Sequence, residues 1–145
     1  MRFIVGTDEA RPVVEYVAAH LQARGHDVVV LPPGAWAEVA LAVGHAVAEK
    51  RADHGVVCCF TGTGASIAAN KVPGVRAALC VDAATAAGAR QWNDANVLAL
   101  SLRLLSEPVA KEIVDAWVDG TYGGAEGESL AALEAEEFRV RHPRG

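Results

Sequence analysis

The stretch GVVCCFTGTGASIAANK, residues 55–71, holds a short apolar run, a glycine-rich turn and a helical pattern in immediate succession. The run GVVCCF carries no charge, as is typical of a strand that is buried on both faces of a parallel sheet. After the turn, GASIAANK repeats its apolar residues at helical spacing. The stretch therefore predicts a strand, a tight turn and a helix, which is the repeating unit of an α/β fold.

The same alternation continues along the whole chain. Strands are predicted at residues 2–6, 27–31, 55–60, 75–80 and 95–100, and helices at 10–26, 35–55, 64–71, 82–92, 107–120 and 127–141. Pro12 is expected in a first helical turn, and Gly25 and Gly55 at helix ends. This order predicts one domain, residues 1–145, with a three-layer αβα, Rossmann-like fold and a five-stranded parallel sheet. The last helix, about residues 124–140, has an apolar stripe and is expected to pack on a partner subunit.

Charge and cysteine content narrow the classes of function. The formal net charge is -5 and the 13 Lys and Arg are scattered, so nucleic acid is not an expected partner. No apolar run approaches the roughly 18 residues of a membrane span, so we expect no membrane partner and a cytoplasmic protein. Three cysteines, two of them adjacent, fit neither a set of disulfides nor zinc-ligand spacing. Reduced thiols and no metal site are the expectation.

Polar residues follow four of the predicted strands. They lie in GTDEAR (6–11), CFTGTGAS (59–66), VDAAT (81–85) and SLRLLS (101–106). The carboxyl ends of parallel strands share one edge of the sheet, where helix N-termini also point their amides at a ligand. We therefore expect these segments to converge on one binding site.

Cys59 is the reactive candidate in that region, because it ends the third strand and precedes the turn Thr61-Gly62-Thr63-Gly64. The turn lacks the lysine of a P-loop and the last glycine of the dinucleotide fingerprint. A thiol at a helix start has a lowered pKa, and a thiolate beside free amides can move a proton next to a carbonyl. The alternative is that Cys59 is only a small buried hydrophobe, which is our interpretation of Cys58 and of Cys80, inside the fourth strand.

Three segments, GTDEA (6–10), residues 55–100 and AKEIVDAW (110–117), resemble the ribose-5-phosphate isomerase B family, which includes the galactose-6-phosphate isomerase subunits. The resemblance implies interconversion of aldose and ketose sugar phosphates through an enediolate, without metal or organic cofactor. It also implies a dimer, or a larger or mixed assembly, with each site shared between subunits. It makes Cys59 the base, Thr61 its assistant, the amides of Gly62 to Gly64 the oxyanion site, and Asp8 and Asn93 ligands of sugar hydroxyls. Thr63 and Ser66 belong to the same substrate-binding turn.

Several positions depart from the family pattern. Glu9 stands where the family has a phosphate-binding histidine, and Trp92 stands at the ring-opening histidine, although an indole is only a donor. Trp36 replaces a tyrosine, while Ala125 and Ser129 replace arginines. Arg103 retains a family arginine, and Arg11 is an additional cation. Both tryptophans either stack on the substrate or are core or interface rings.

For the other candidates, a purely structural or solvated role remains an open alternative. Asp8 either binds substrate or only stabilises the first helix dipole, and Glu9 is expected to be solvated. His20, His26, His45 and His54 are expected to be solvated at helix ends or on exposed faces.

Three hypotheses follow. The chain is an isomerase whose substrate differs from ribose 5-phosphate, one subunit of a heteromeric isomerase, or an inactive homologue that binds sugars or nucleotides.

Overall fold

The computed structural model describes residues 1–145 and confirms the three-layer α/β architecture. Five strands, β1 (Arg2–Thr7), β2 (Asp27–Val30), β3 (His54–Cys59), β4 (Ala77–Leu79) and β5 (Val97–Ser101), form one parallel sheet in the order β2-β1-β3-β5-β4. Six helices accompany them: α1 (Pro12–Ala23), α2 (Trp36–Ala48), α3 (Thr63–Asn70), α4 (Ala83–Asn93), α5 (Glu107–Asp119) and α6 (Gly127–Arg141). No helix combines the length and the apolar character that crossing a bilayer requires.

Two hydrophobic clusters cover the two faces of the sheet. One joins α1, α4 and α5 to the face that carries Cys58, and Trp117 is its largest buried side chain. The other joins α2 and α3 to the face that carries Cys59. Valine and alanine dominate both layers, and Gly55 lets α2 approach β3, since a Cβ there would lie 2.4 Å from Val43 Cγ1. Neighbouring residues of β3 therefore enter different cores, as strand alternation requires.

The structure corrects several predicted local features. Pro12 opens α1 and Gly25 follows its end with φ 88°, as expected, but Gly55 lies inside β3 and the left-handed residue after α2 is Lys50. β2 is an edge strand whose valines are mostly exposed, so it is not buried on both faces. β4 pairs over only three residues, and Cys80 lies just beyond it, buried.

α6 stands apart from the two cores. None of its residues is buried, and the carboxylate of Glu137 accepts a hydrogen bond from the Gly74 amide at 3.1 Å. Leu133, Phe138 and Val140 are exposed by more than half of their surface. The helix therefore leaves apolar surface uncovered within one chain.

His54 is a buried histidine, contrary to the expectation of a solvated one. It begins β3, and its Nδ1 accepts a hydrogen bond from Trp117 Nε1 at 2.9 Å. Burial lowers its pKa from 6.5 to about 4, and the nearby Arg90 acts in the same direction. His20 is also engaged, because its Nε2 lies 2.6 Å from Asp115 Oδ1. Neither imidazole is free for chemistry at a site.

We expect the free energy of unfolding to fall as the pH is lowered from about 6.5 to 4. The unfolded chain protonates His54 near its ordinary pKa, whereas the folded chain keeps it neutral down to about pH 4. The gap corresponds to about 3 kcal/mol when fully expressed. Asp53 and Asp115, each with a pKa lowered to about 2, weaken the fold only at still lower pH.

Urea unfolding at pH 7, 5.5 and 4.5 measures this effect. His54→Asn keeps an acceptor for Trp117 but does not titrate, so its stability should depend less steeply on pH. Equal slopes for the variant and the parent would contradict the assignment to His54.

Candidate functional site

The site begins where β1 and β3 lie side by side at the centre of the sheet. Thr7 pairs with Cys58, and the Asp8 amide donates to Cys58 O at 3.2 Å, so Asp8 and Cys59 leave neighbouring strands at the same edge. The connections from these strands run in opposite directions, since β1 leads to β2 on one side of the pair and β3 leads to β4 on the other. Ligands of open α/β sheets bind in the crevice that forms at such a point.

Cys59 differs from the other two thiols in its surroundings. Its side chain lies in the α2–α3 core, 5% exposed, immediately before the glycine turn. Burial raises the pKa of Cys58 and of Cys80 to about 12, so these two thiols stay protonated. Neither is suited to act as a base at neutral pH.

The glycine turn presents unpaired amides. Gly62 has φ 78°, and α3 begins at the next residue. No acceptor within the chain takes the amide protons of Gly62, Thr63 or Gly64, whereas the Ser66 amide already donates to Gly62 O at 3.1 Å. The Thr61 and Thr63 hydroxyl oxygens lie 2.7 Å apart. The turn is thus a cradle of free donors beside Cys59, which is suited to a developing oxyanion.

Trp36 packs against this cradle. A Cβ on Gly64 would lie 2.9 Å from Cε3 of the Trp36 ring, so the ring and the turn are in close contact. The tryptophan is 48% exposed. It therefore offers an indole surface next to the turn and is not a core ring.

Gly62→Ala should destabilise the protein and disable the turn. A Cβ there would lie 2.5 Å from Leu79 Cδ1 and 3.0 Å from the Leu100 backbone, at a positive φ. Backbone strain and overpacking together should cost about 2 to 4 kcal/mol in thermal or urea unfolding.

Gly124→Ala is the matched control, because Gly124 has φ 82° and open space around it. It should cost about 1 kcal/mol from backbone strain alone. Equal losses in both variants would mean that contact with the Leu100 backbone is unimportant.

Two carboxylates follow β1. Asp8 Oδ1 is buried and has no hydrogen-bond partner, which leaves an acceptor in need of a donor. Glu9 is exposed to solvent, as expected, and Arg11 donates to its carboxylate at 2.9 Å. The buried Thr7 hydroxyl donates to Glu9 O at 2.7 Å and fixes the local backbone. The unsatisfied Asp8 oxygen is a candidate ligand for a hydroxyl group.

The loop after β5 completes this edge. The Leu102 amide donates to Cys59 O at 3.0 Å and the Arg103 amide to Phe60 O at 2.9 Å. Ser101 Oγ donates to the same Phe60 oxygen at 3.2 Å. Arg103 is exposed and its guanidinium forms no ion pair, so it is available to an anion.

Trp92 and Asn93 lie at the amino ends of the strands, opposite the carboxyl ends where the glycine turn lies. They end α4, which returns the chain to the amino end of β5, while Cys59 lies at a carboxyl end. Both line a groove of about 910 Å³ between α6 and the segment before β4, together with Ser129. Within one chain the candidate residues thus form two groups, one at the glycine turn and one in this groove.

Thr7 and Ser101 support the site, although neither was predicted as a site residue. Each is a buried hydroxyl at the last position of an apolar strand, and each bonds to the backbone of the following loop. A polar residue in that position is the signal that could have identified them.

A family model described as Ribose/Galactose Isomerase matches residues 3–133. The chain belongs to this family. Ribose-5-phosphate isomerase B of Escherichia coli is 41% identical over 131 residues, covering 85% of this chain and 87% of that protein. D-erythrulose-4-phosphate isomerase of Pectobacterium atrosepticum is 38% identical over 106 residues, covering 72% and 70%.

Solved structures agree with membership of the ribose/galactose isomerase family. Ribose-5-phosphate isomerase B of Clostridium thermocellum superposes with a TM-score of 0.92 at 33% identity, over 97% of this chain and 99% of that one. The Mycoplasma genitalium enzyme, solved with bound ribulose-5-phosphate, gives a TM-score of 0.90 at 31% identity, over 94% and 96%. The resemblance deduced from the sequence and the α/β fold are both confirmed, and the family is one of sugar-phosphate isomerases.

Proposed function

We propose that the chain is an aldose–ketose isomerase in which Cys59 moves a proton between C1 and C2 of a sugar phosphate. The observation that carries the proposal is the glycine turn, where Cys59 adjoins three unpaired amides and lies beside the strand that leads to Asp8. A base, oxyanion donors and a hydroxyl acceptor are what enolisation of an α-hydroxy carbonyl compound requires.

These groups account for each proton transfer in the isomerisation. The Cys59 thiolate removes the proton on C2 of the aldose, and the electrons of that bond form the C1–C2 double bond as charge moves to O1. The amides of Gly62 to Gly64 donate to O1 in this cis-enediolate, with Thr61 assisting. The proton of the O2 hydroxyl passes to O1, and Cys59 returns its proton to C1, which yields the ketose. Asp8 accepts a hydrogen bond from a substrate hydroxyl and orients the carbon chain.

We also propose a homodimer with shared sites, formed when the groove of one copy meets the glycine turn of the other. Support comes from Trp92 and Asn93, which lie at the edge opposite Cys59, and from the uncovered apolar residues of α6. Phe60 and Ile67, near the turn, are likewise more than half exposed. Light scattering should give twice the chain mass of 15.1 kDa.

The proposed substrate is a short sugar phosphate that exists as an open chain, and not ribose 5-phosphate. Opening a sugar ring needs an acid–base group, and Trp92 is only a donor. Four histidines are engaged elsewhere: His20 with Asp115, His26 with the N-terminal amine, His54 with Trp117, and His142 with Phe138 O. His45 lies within 4.0 Å of Glu49 on α2. Arg103 supplies a free cation for the phosphate, and one relative is named for a four-carbon substrate.

One experiment distinguishes this proposal from two alternatives, a heteromeric isomerase and an inactive homologue. Galactose-6-phosphate isomerase subunit LacB of Clostridium acetobutylicum is 34% identical over 124 residues, which favours a heteromer as the second candidate. Turnover of a panel of sugar phosphates by the purified single chain, followed by NMR, would support the homomeric enzyme. Activity only after addition of a second family member would support the heteromer. Binding without turnover under every condition would indicate the inactive homologue.

A further inference from the structure

The turn that follows α4 has an unusual backbone. Asp94 occupies the left-handed region, with φ 46° and ψ 42°, directly after Asn93. Residues other than glycine rarely adopt this conformation, although aspartate and asparagine do so more often than the rest, and local contacts then stabilise it. The contacts of Asp94 therefore indicate what the turn needs.

Two arginines hold Asp94 from different sides. Arg76 donates through Nε to Asp94 O at 2.8 Å and through its terminal nitrogen to Oδ2 at 3.3 Å. Arg90 lies 3.6 Å from Oδ1 and also donates to Ala95 O. The carboxylate thus bridges the guanidinium groups of α4 and of the segment before β4.

Further bonds join this clamp, Arg76–Asp94–Arg90, to the rest of the protein. The Arg90 side chain is only 12% exposed, and its guanidinium lies 5.7 Å above the Trp117 ring. The Arg76 amide donates to Asn96 Oδ1 at 2.8 Å, and Asn96 Nδ2 donates to Gly74 O at 2.9 Å. The turn is therefore tied to the α5 core on one side and to the loop before β4 on the other.

We infer that Asp94 is a positioning residue that fixes Asn93 for the substrate, which rests on the proposed role of Asn93 in the shared site. Asn93 is the last residue of α4 and immediately precedes Asp94, so the contacts that hold Asp94 also hold the helix end that carries the asparagine. Arg76 and Arg90 act through the same carboxylate. The clamp reaches the substrate only through Asn93.

The test is a double-mutant cycle with Asp94→Asn and Asn93→Ala in the full-length protein. Asparagine tolerates the left-handed conformation, so Asp94→Asn removes the charge and keeps the backbone. It should lower kcat/KM roughly 10- to 100-fold in the parent, because small misplacement of a binding group has effects of that size. It should have no further effect on Asn93→Ala. Amide hydrogen exchange at Ala95 and Asn96, measured without substrate, should accelerate in Asp94→Asn.

Asp119→Asn is the matched control, since it removes an arginine ion pair, to Arg24 at 2.6 Å, that involves no residue of the clamp and none of the site residues. It should leave kcat/KM unchanged. Equal losses from Asp94→Asn in both backgrounds would identify a merely structural role and overturn the inference, as would unchanged exchange at Ala95 and Asn96. Full activity in Asn93→Ala would instead overturn the proposed role of Asn93, and the inference with it, whereas the exchange measurement reports on the clamp independently.

Discussion

Cys59→Ala should abolish exchange of the substrate C2 proton in deuterated water and lower kcat by about 10²- to 10⁴-fold, the usual contribution of a positioned base. Cys59 ends β3 before the glycine turn, whereas Cys58 and Cys80 lie in the core on the other face of the sheet, so neither of them can replace it. Binding of the sugar phosphate, measured by calorimetry, should change little, because the proton transfer follows binding. The substitution removes one buried atom and should cost about 1 kcal/mol of stability.

Two further variants make this prediction specific. Cys58→Ala removes the same group one residue away on the other face of the sheet, where burial raises the thiol pKa to about 12, and its kcat should equal that of the parent. Cys59→Ser keeps nearly the same volume but lacks an ionisable thiol, so it should be as inactive as Cys59→Ala. If Cys59→Ala retained parental activity, the thiol would have no part in the mechanism and Glu9 would become the candidate base.

The local sequence pattern was sufficient to predict the strands and helices and the group of site residues at the glycine turn. The apolar run at residues 55–60 and the helical spacing after it predicted β3, the glycine turn and α3 because these signals act within a few residues. The rule that ligands gather at carboxyl strand ends predicted that residues 6–11 and 59–66 would lie at one end of the sheet, and the pairing of β1 with β3 brings Asp8 and Cys59 to that end.

Features that depend on distant residues were not predictable from pattern. β2 is as apolar as a central strand, but its position at the sheet edge follows from the strand order, which periodicity does not encode. His54 was expected in solvent because its partner, Trp117, is 63 residues away in sequence. Asp94 was not predicted as a functional residue, since its role depends on Arg76, which a different segment contributes, as well as on Arg90 of the same helix. Likewise, the local sequence around Trp92 and Asn93 did not indicate that they lie at the end of the sheet opposite Cys59.

The second large effect concerns the choice of substrate. Erythrose 4-phosphate, an aldose whose C4 oxygen is esterified, cannot close a five-membered ring and presents its carbonyl group directly. Ribose 5-phosphate is mostly a closed ring and needs an acid–base group that Trp92 cannot be. We therefore expect kcat/KM for erythrose 4-phosphate to exceed that for ribose 5-phosphate by roughly 100-fold or more, since general acid–base catalysis contributes 10² to 10⁴. Glu9, Ala125 and Ser129 carry no positive charge, which affects the phosphate of both substrates alike, so the expected ratio depends on ring opening.

Trp92→His should narrow this gap by raising kcat/KM for ribose 5-phosphate while leaving the four-carbon substrate nearly unaffected. Trp92 is 55% exposed in the groove, so an imidazole fits there without disturbing a core, and it can both donate and accept a proton. Trp36→His is the matched control, because it introduces the same ring beside the glycine turn, where it should not improve ribose 5-phosphate turnover. Rates are measured by NMR at equal concentrations of the two sugar phosphates. Comparable efficiency of the parent on both substrates would contradict the open-chain assignment, and an unchanged ratio in Trp92→His would show that the missing imidazole is not its cause.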